Sequence, residues 1–296
     1  MKKKVVVIGG SGFMGSHIAD ELTRSGYAVT LFDYKQSPYL RSGQKMVVGN
    51  ILDEKALDDC IKGSQYVYHL AGIADIGEAA VHPVETVKTN ILGTTFALEV
   101  SKKWKVERFV FASTIYVYSH QGSFYRATKQ ASESLIEVYK EKFGLEYTIL
   151  RYGSLYGPRS QVWNGLRRYV EQALRDGMIL YDGTGEELRE FIHVIDAARL
   201  SVLVLMPKYA NICLTLTGTQ VLRLKELFYM VQEIIGKPLD IKFSSSNKNY
   251  DHYITTPYRY TPKQALKMVP ETFIDIGQGI LALVEEINQR IQDEGN

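Results

Sequence analysis

At 296 residues, 45% hydrophobic and with a formal net charge of +2, the chain can bury a substantial core and shows no electrostatic footprint for a nucleic acid. No basic run is longer than Lys2-Lys3-Lys4. The apolar stretch behind it stops at Gly9, too soon for a membrane span or a signal peptide. Cys60 and Cys213 lack metal-ligand spacing and suit reduced structural thiols, so a cytoplasmic protein with no metal site and no membrane partner is expected.

The first predicted strand is the β-branched run Lys4-Val5-Val6-Val7-Ile8. A turn, Gly9-Gly10-Ser11-Gly12-Phe13-Met14-Gly15, follows it, and residues 16–22 then carry helical apolar spacing. Strand, glycine turn and helix form the context of a dinucleotide fingerprint, with the helix N-terminus offering free N–H groups to a pyrophosphate. A glycine turn with no ligand is the plain alternative. Against it stands Asp33, eighteen positions past Gly15 and at the end of the second predicted strand, 27–32. A carboxylate there accepts from the adenosine ribose hydroxyls and repels a 2′-phosphate, which favours NAD over NADP. Lys35 and Arg41 lie close enough in sequence to soften that preference.

Further strands are predicted at 45–48, 66–70, 108–112 and 147–150, with helices at 54–61, 84–103 and 126–143 between them. This alternation predicts an α/β fold: a Rossmann-type doubly wound parallel sheet with a smaller C-terminal substrate lobe. Residues 1–157 are expected to form the NAD-binding domain and 158–296 mainly the substrate lobe, with some later segments free to return to the sheet. Gly157-Pro158 marks the boundary. The pattern is weakest over 244–260, which is polar.

Tyr125 and Lys129 lie one helical turn apart on one face, eleven residues after Thr114. Tyr and Lys four apart occur by chance in many helices, but this pair, the upstream hydroxyl and the glycine turn together indicate proton transfer beside a nicotinamide. A phenol titrates near pKa ~10 and is a poor base unaided. A cation at this range lowers it by ~1–3 units. Taken singly, Tyr125 would pack with its hydroxyl at the surface, Lys129 would be solvated and Thr114 would cap a helix. His69 reads as a packed strand residue rather than a base.

These residues, with Asn90-Ile91-Leu92-Gly93-Thr94, Leu150-Arg151-Tyr152, Tyr156-Gly157-Pro158-Arg159 and the stretch from Asp182 through Arg189 to Asp196, resemble the extended short-chain dehydrogenase/reductase family. The likeness is to its nucleotide-sugar epimerases and dehydratases, and it covers nearly the whole chain. It implies Thr114, Tyr125 and Lys129 as catalytic residues. NAD would be held by the turn (Gly9, Gly12, Phe13, Met14 and Gly15), by Asp33, Asn50 and Ile51, and by Leu70, Ala71 and Gly72. Asn90, Ser113, Tyr125, Lys129 and Tyr152 complete that implied set. A nucleotide-diphosphate sugar would meet Thr114, Ser154 and Arg189, the last suited by its guanidinium to phosphate. For Arg189 a surface ion pair with Glu186 or Glu187 is the alternative, and for Asn90 simple helix packing.

The chain also departs from the family's pattern. Where the 4,6-dehydratases carry Asp and Glu, Ile115 and Tyr116 stand, which disfavours dehydration. Only six residues separate Tyr118 from Tyr125, a shorter loop than usual, and Ser154 replaces the usual asparagine. Over 250–263 the resemblance is too thin to transfer residues. The expected activity is NAD-dependent epimerisation of a nucleotide sugar at C4 through a transient 4-keto sugar. A 4-dehydrogenase or ketosugar reductase with the same Thr/Tyr/Lys set is the closest rival, and a non-catalytic NAD-sensing module is a more distant one. The resemblance further implies a homodimer in which the helices at 84–103 and 126–143 pair with their symmetry mates. Both helices carry apolar residues beyond one stripe: Ile91, Leu92, Phe96, Leu98 and Val100, then Leu135, Ile136, Val138, Tyr139 and Phe143.

Overall fold

A computed structural model of the protein describes residues 2–244 and 266–294. In the first half the chain runs β1 (Lys4–Ile8), α1 (Phe13–Arg24), β2 (Ala28–Asp33), β3 (Lys45–Val48), α2 (Glu54–Ile61) and β4 (Tyr66–His69). Two short helices, α3 (Ile76–Val81) and α4 (Pro83–Val87), precede α5 (Gly93–Lys103), β5 (Arg108–Thr114), α6 (Ser123–Phe143) and β6 (Tyr147–Tyr152). The second half comprises β7 (Ser154–Tyr156), α7 (Gly165–Asp176), β8 (Met178–Asp182), β9 (Leu188–His193) and α8 (Val194–Leu203). It continues through β10 (Ile212–Leu216), β11 (Val221–Arg223), α9 (Leu224–Ile235), β12 (Asp240–Ser244), β13 (Leu266–Met268) and α10 (Ile276–Glu294).

Eight parallel strands form one sheet in the order β3-β2-β1-β4-β5-β6-β10-β13. The order reverses between β1 and β4, the switch point at which doubly wound sheets bind ligands beyond their strands' carboxyl ends. Both faces of β1 are buried: Val5 and Val7 join the core under α1 and α8, and Val6 and Ile8 join the one under α2, α5 and α6. Each of these side chains contributes about 1.5–3 kcal/mol by burial, and this is why the strand reads as an unbroken apolar run. Among the described residues no helix is long and apolar enough to cross a membrane. Among the described residues Cys60 and Cys213 form no disulfide, and burial pushes the Cys60 thiol up to about 12.

One predicted element is divided. The helix expected over 84–103 is α4, then a π turn at Lys88–Leu92, then α5. A π turn inserts an extra residue into the helical ladder. Here it carries Asn90, whose side chain is buried. After Gly157 the chain serves two bodies. β10 and β13 complete the large sheet and α8 packs on its face, whereas α7, α9 and α10 enclose a separate core around Tyr169, Phe228, Leu227 and Ile280. A three-stranded sheet, β11-β9-β7, and the parallel pair β12-β8 complete this lobe. The weakly patterned stretch at 244–260 lies outside the described residues beyond Ser244, as does 250–263.

Candidate active site

The carboxyl ends of β1, β2, β4, β5 and β6 open onto a cleft of about 1880 Å³ whose far wall is the lobe. The glycine turn forms its floor. Gly9 has φ +85°, a left-handed conformation that suits glycine, and a Cβ there would meet Ala71 N at 2.5 Å. A Cβ on Gly15 would sit 2.1 Å from Gly9 O, so the first turn of α1 can lie against the loop only without a side chain. Gly12 precedes α1 with no side-chain cap, which leaves first-turn N–H groups for an anion. Phe13 and Met14 line the cleft while their side chains are buried beneath it.

Asp33 ends β2 beside this turn, and its Oδ2 accepts from Ser11 N at 2.9 Å. Burial raises its carboxyl above the usual range, opposed by backbone N–H groups including that of Ser11. Asn50 and Ile51 line the adjoining wall, where Asn50 Oδ1 accepts from Leu52 N at 2.9 Å. Leu70, Ala71 and Gly72 follow β4, with the N–H groups of Leu70 and Ala71 both donating to Ile8 O.

Thr114, Tyr125 and Lys129 come together on the sheet side of the cleft, Thr114 from the end of β5 and the others from α6. The Thr114 side chain hydrogen-bonds the Tyr125 phenol. Lys129 Nζ donates to Ala112 O at 2.6 Å and lies 5.9 Å from the Tyr125 ring centroid. The expected lowering of the phenol by Lys129 is not found. Burial instead pushes Tyr125 up to about 12, with the Thr114 bond acting the other way. Burial likewise brings Lys129 down to about 8, opposed by the carboxylate of Glu133. The Lys129 ammonium is thus tied to the β5 backbone, which braces α6 against that strand.

Other predicted residues sit differently from the expectation. Asn90 is not on the cleft wall: its Oδ1 accepts from Ile73 N at 2.8 Å, and its Nδ2 donates to Ile73 O and to Thr128 Oγ1 at 3.0 Å each. It braces the chain after Gly72 against α6, where a Cβ on Gly72 would meet Asn90 Oδ1 at 2.8 Å. Tyr152 lines the cleft, but its hydroxyl is bonded to Ser201 Oγ at 2.6 Å in the core. The Ser113 hydroxyl donates to Glu133 at 2.5 Å, behind the strand. His69 is fully buried against Thr94, at 2.7 Å, and burial lowers it to about 3. Ser154 and Arg189 both line the lobe side of the cleft. Glu186, offered as a surface partner for Arg189, pairs with Arg223 and Lys225.

The sequence matches the NAD-dependent epimerase/dehydratase family over residues 5–211. The chain belongs to that family. Among curated relatives of this epimerase/dehydratase chain, a UDP-N-acetyl-alpha-D-glucosaminuronate decarboxylase of Bacillus cytotoxicus is 28% identical over 85% of this chain and 86% of its own. A solved UDP-glucose 4-epimerase of Thermotoga maritima, crystallised with UDP-glucose, superposes with a TM-score of 0.85 at 27% identity, covering 97% of this chain and 99% of its own. A UDP-glucuronic acid 4-epimerase of Bacillus cereus, in complex with UDP-glucuronic acid and NAD, does so at 0.83 and 25% identity, over 97% and 99%.

The protein is thus an NAD-dependent enzyme of the epimerase and oxidoreductase kind, and its glycine turn fits the cofactor. Side chains are excluded at Gly9 and Gly15, and α1 begins uncapped. Two features of this family member escaped the sequence reading. Tyr116 lines the cleft with its ring edge-on to Tyr125 at 6.4 Å, and the short loop reaches it through Gly122. Gly122 has φ +98°, and a Cβ there would meet Tyr116 Cδ1 at 2.8 Å. Glu133 and Arg151 form a buried ion pair at 2.6 Å behind β5. Glu133, four residues after Lys129 on the same helix face, was the available signal.

Proposed function

We propose that this enzyme is a nucleotide-sugar 4-epimerase acting through a transient 4-keto sugar. The observation that carries this reading is the meeting of Thr114, Tyr125 and Lys129 in one cleft with the glycine turn and the lobe residues Ser154 and Arg189. NAD bound in this cleft would supply hydride transfer at the sugar carbon and, in its oxidised form, a positive charge that favours ionisation of the half-buried Tyr125 phenol. Tyr125 takes the proton of the C4 hydroxyl as hydride leaves C4, and Thr114 hydrogen-bonds the same oxygen. Lys129, held by Ala112 O, fixes the turn of α6 that presents Tyr125. The keto sugar turns over in the cleft, hydride returns to its other face, and Tyr125 restores the proton. Arg189 is assigned to the diphosphate and Ser154 to the sugar side.

A second reading comes from the Bacillus cytotoxicus decarboxylase relative: the same C4 oxidation, followed by loss of CO2 from a sugar acid. Incubation with UDP-glucose, UDP-N-acetylglucosamine and UDP-glucuronate, with products identified by NMR and CO2 release followed, separates the two. Products inverted at C4 with the carbon count unchanged support epimerisation. CO2 release gives the decarboxylase, and lasting NADH accumulation a net dehydrogenase.

We also propose a homodimer through the α4–α6 face. Leu98, Val100, Ile136 and Tyr139 are buried in the sheet-facing core, so the apolar surplus is smaller than the sequence suggested. Exposed on these helices are Val84 (67%), Val87 and Leu92 (43% each), Val138 (46%) and Phe143 (55%), a set suited to a self-complementary contact.

A further inference from the structure

Glu133 sits behind the cleft and does not line it, although its partner Ser113 does. It is 3% exposed, as is Ser113, and Arg151 is 2% exposed. Its Oε1 accepts from Ser113 Oγ at 2.5 Å and from Arg151 Nε at 3.0 Å, while Oε2 accepts from Arg151 Nη2 at 2.6 Å. Ser113 and Arg151 are partners in the β5–β6 register, so one carboxylate from α6 grips both strands at a single rung. The guanidinium continues outward, with Nη1 donating to Tyr118 OH at 2.7 Å in the turn that follows Thr114.

We infer that Glu133 is a positioning residue that sets Thr114 against Tyr125 and Lys129. Thr114 is the next residue after Ser113, and Tyr125 and Lys129 lie two turns and one turn before Glu133 on its own helix. Those two turns span about 12 Å of helix axis. The relative placement of hydroxyl and phenol therefore depends on how firmly α6 is anchored along β5. Lys129 supplies one anchor through Ala112 O. Arg126 and Gln130 add single bonds to Ser119 O and Val117 O at 3.1 and 2.9 Å, in the segment beyond Thr114. Single hydrogen bonds of this kind fix distance more than orientation, whereas a forked guanidinium fixes both distance and plane. Buried ion pairs are poor sources of stability compared with apolar side chains of the same volume, so a pair at this location is better explained by the geometry it imposes. Errors of about 1 Å in such geometry cost on the order of a hundredfold in rate.

The inference rests on the function proposed above, so its test has a structural arm as well as a kinetic one. In the NAD-loaded enzyme, Glu133→Gln is expected to lower kcat about ten- to hundredfold while KM for the nucleotide sugar and bound NAD stay within about twofold. A crystal structure of the variant is expected to show α6 shifted along β5, with Thr114 and Tyr125 farther apart. Unchanged kcat, or NAD affinity lost in step with kcat, overturns the proposal, as does an unmoved Thr114–Tyr125 pair. If Glu133→Gln does not fold, Glu133→Leu with Arg151→Met removes both charges and is read in its place. Ser113→Ala, which leaves the ion pair intact, is expected to lower kcat severalfold by itself, and full activity there counts against the proposal. Should the wild type convert no nucleotide sugar, the functional reading fails while the crystallographic comparison still decides the role of Glu133.

Discussion

Removing one oxygen at Tyr125 separates chemistry from structure. Tyr125→Phe keeps the ring that meets Tyr116 edge-on and loses only the group that exchanges a proton. Turnover is expected to fall by about 10²–10⁴-fold, with melting temperature and NAD content near wild type. Steady-state kinetics beside a thermal melt checks both halves. At Lys129 the consequence is a pH dependence. The folded side chain titrates at about 8 against an ordinary value of 10.5, so between these values the unfolded chain binds more protons and folding stability rises with pH. Tyr125, raised from 10.0 to about 12, acts in the opposite sense only above pH 10. The melting temperature of the wild type is therefore expected to gain on that of Lys129→Met between pH 8 and pH 10. A constant gap would contradict a buried lysine. The motif spacing singled out Thr114, Tyr125 and Lys129, but not the direction in which Tyr125 and Lys129 titrate. That direction follows from burial, which no single sequence position reports.

Among the elements, the strand–turn–helix unit of β1 and α1 carries the tightest geometry. Gly15→Ala places a methyl 2.1 Å from Gly9 O, against backbone that cannot rotate away. The turn must open, at a cost of about 1–3 kcal/mol. NAD affinity is expected to weaken about ten- to hundredfold, measured by calorimetric titration, with the fold retained. This unit was legible because its signal is local: β-branched residues, glycines and an acidic residue in a fixed order. The π turn at Lys88–Leu92 was not. The apolar periodicity of 84–103 continues through it, and the cause of the interruption is Asn90 bonding to Ile73, a partner seventeen residues upstream. The pairing of Arg151 with Glu133 was not legible either: the spacing from Lys129 could single out Glu133, but charged residues on a core strand and a long helix become a pair only when the two elements pack.

For the whole molecule, association is the main expectation. Light scattering at micromolar concentration should give about twice 33.5 kDa, and Val138→Glu should return the mass towards that single-chain value and lower the melting temperature. A wild-type mass near 33.5 kDa with full activity would reject a dimer requirement. Late segments join the large sheet by strand pairing, β10 along the open side of β6 and β13 along β10.

That winding also bears on how the protein is made. The ribosome delivers β6 before the lobe, and β10 only after three of the lobe's five described strands. β13, the outermost strand of the sheet, emerges within the last tenth or so of the chain. Until then a nascent sheet presents β10 as an open edge, the kind of surface that recruits strands from other chains. α10 follows β13 and closes the lobe core, with Gly279 laid against Tyr156 so closely that a Cβ would come within 2.5 Å of the phenol oxygen. A polypeptide halted before Leu266 thus lacks the closing piece of both bodies at once, so early termination yields an aggregation-prone fragment rather than a smaller working enzyme.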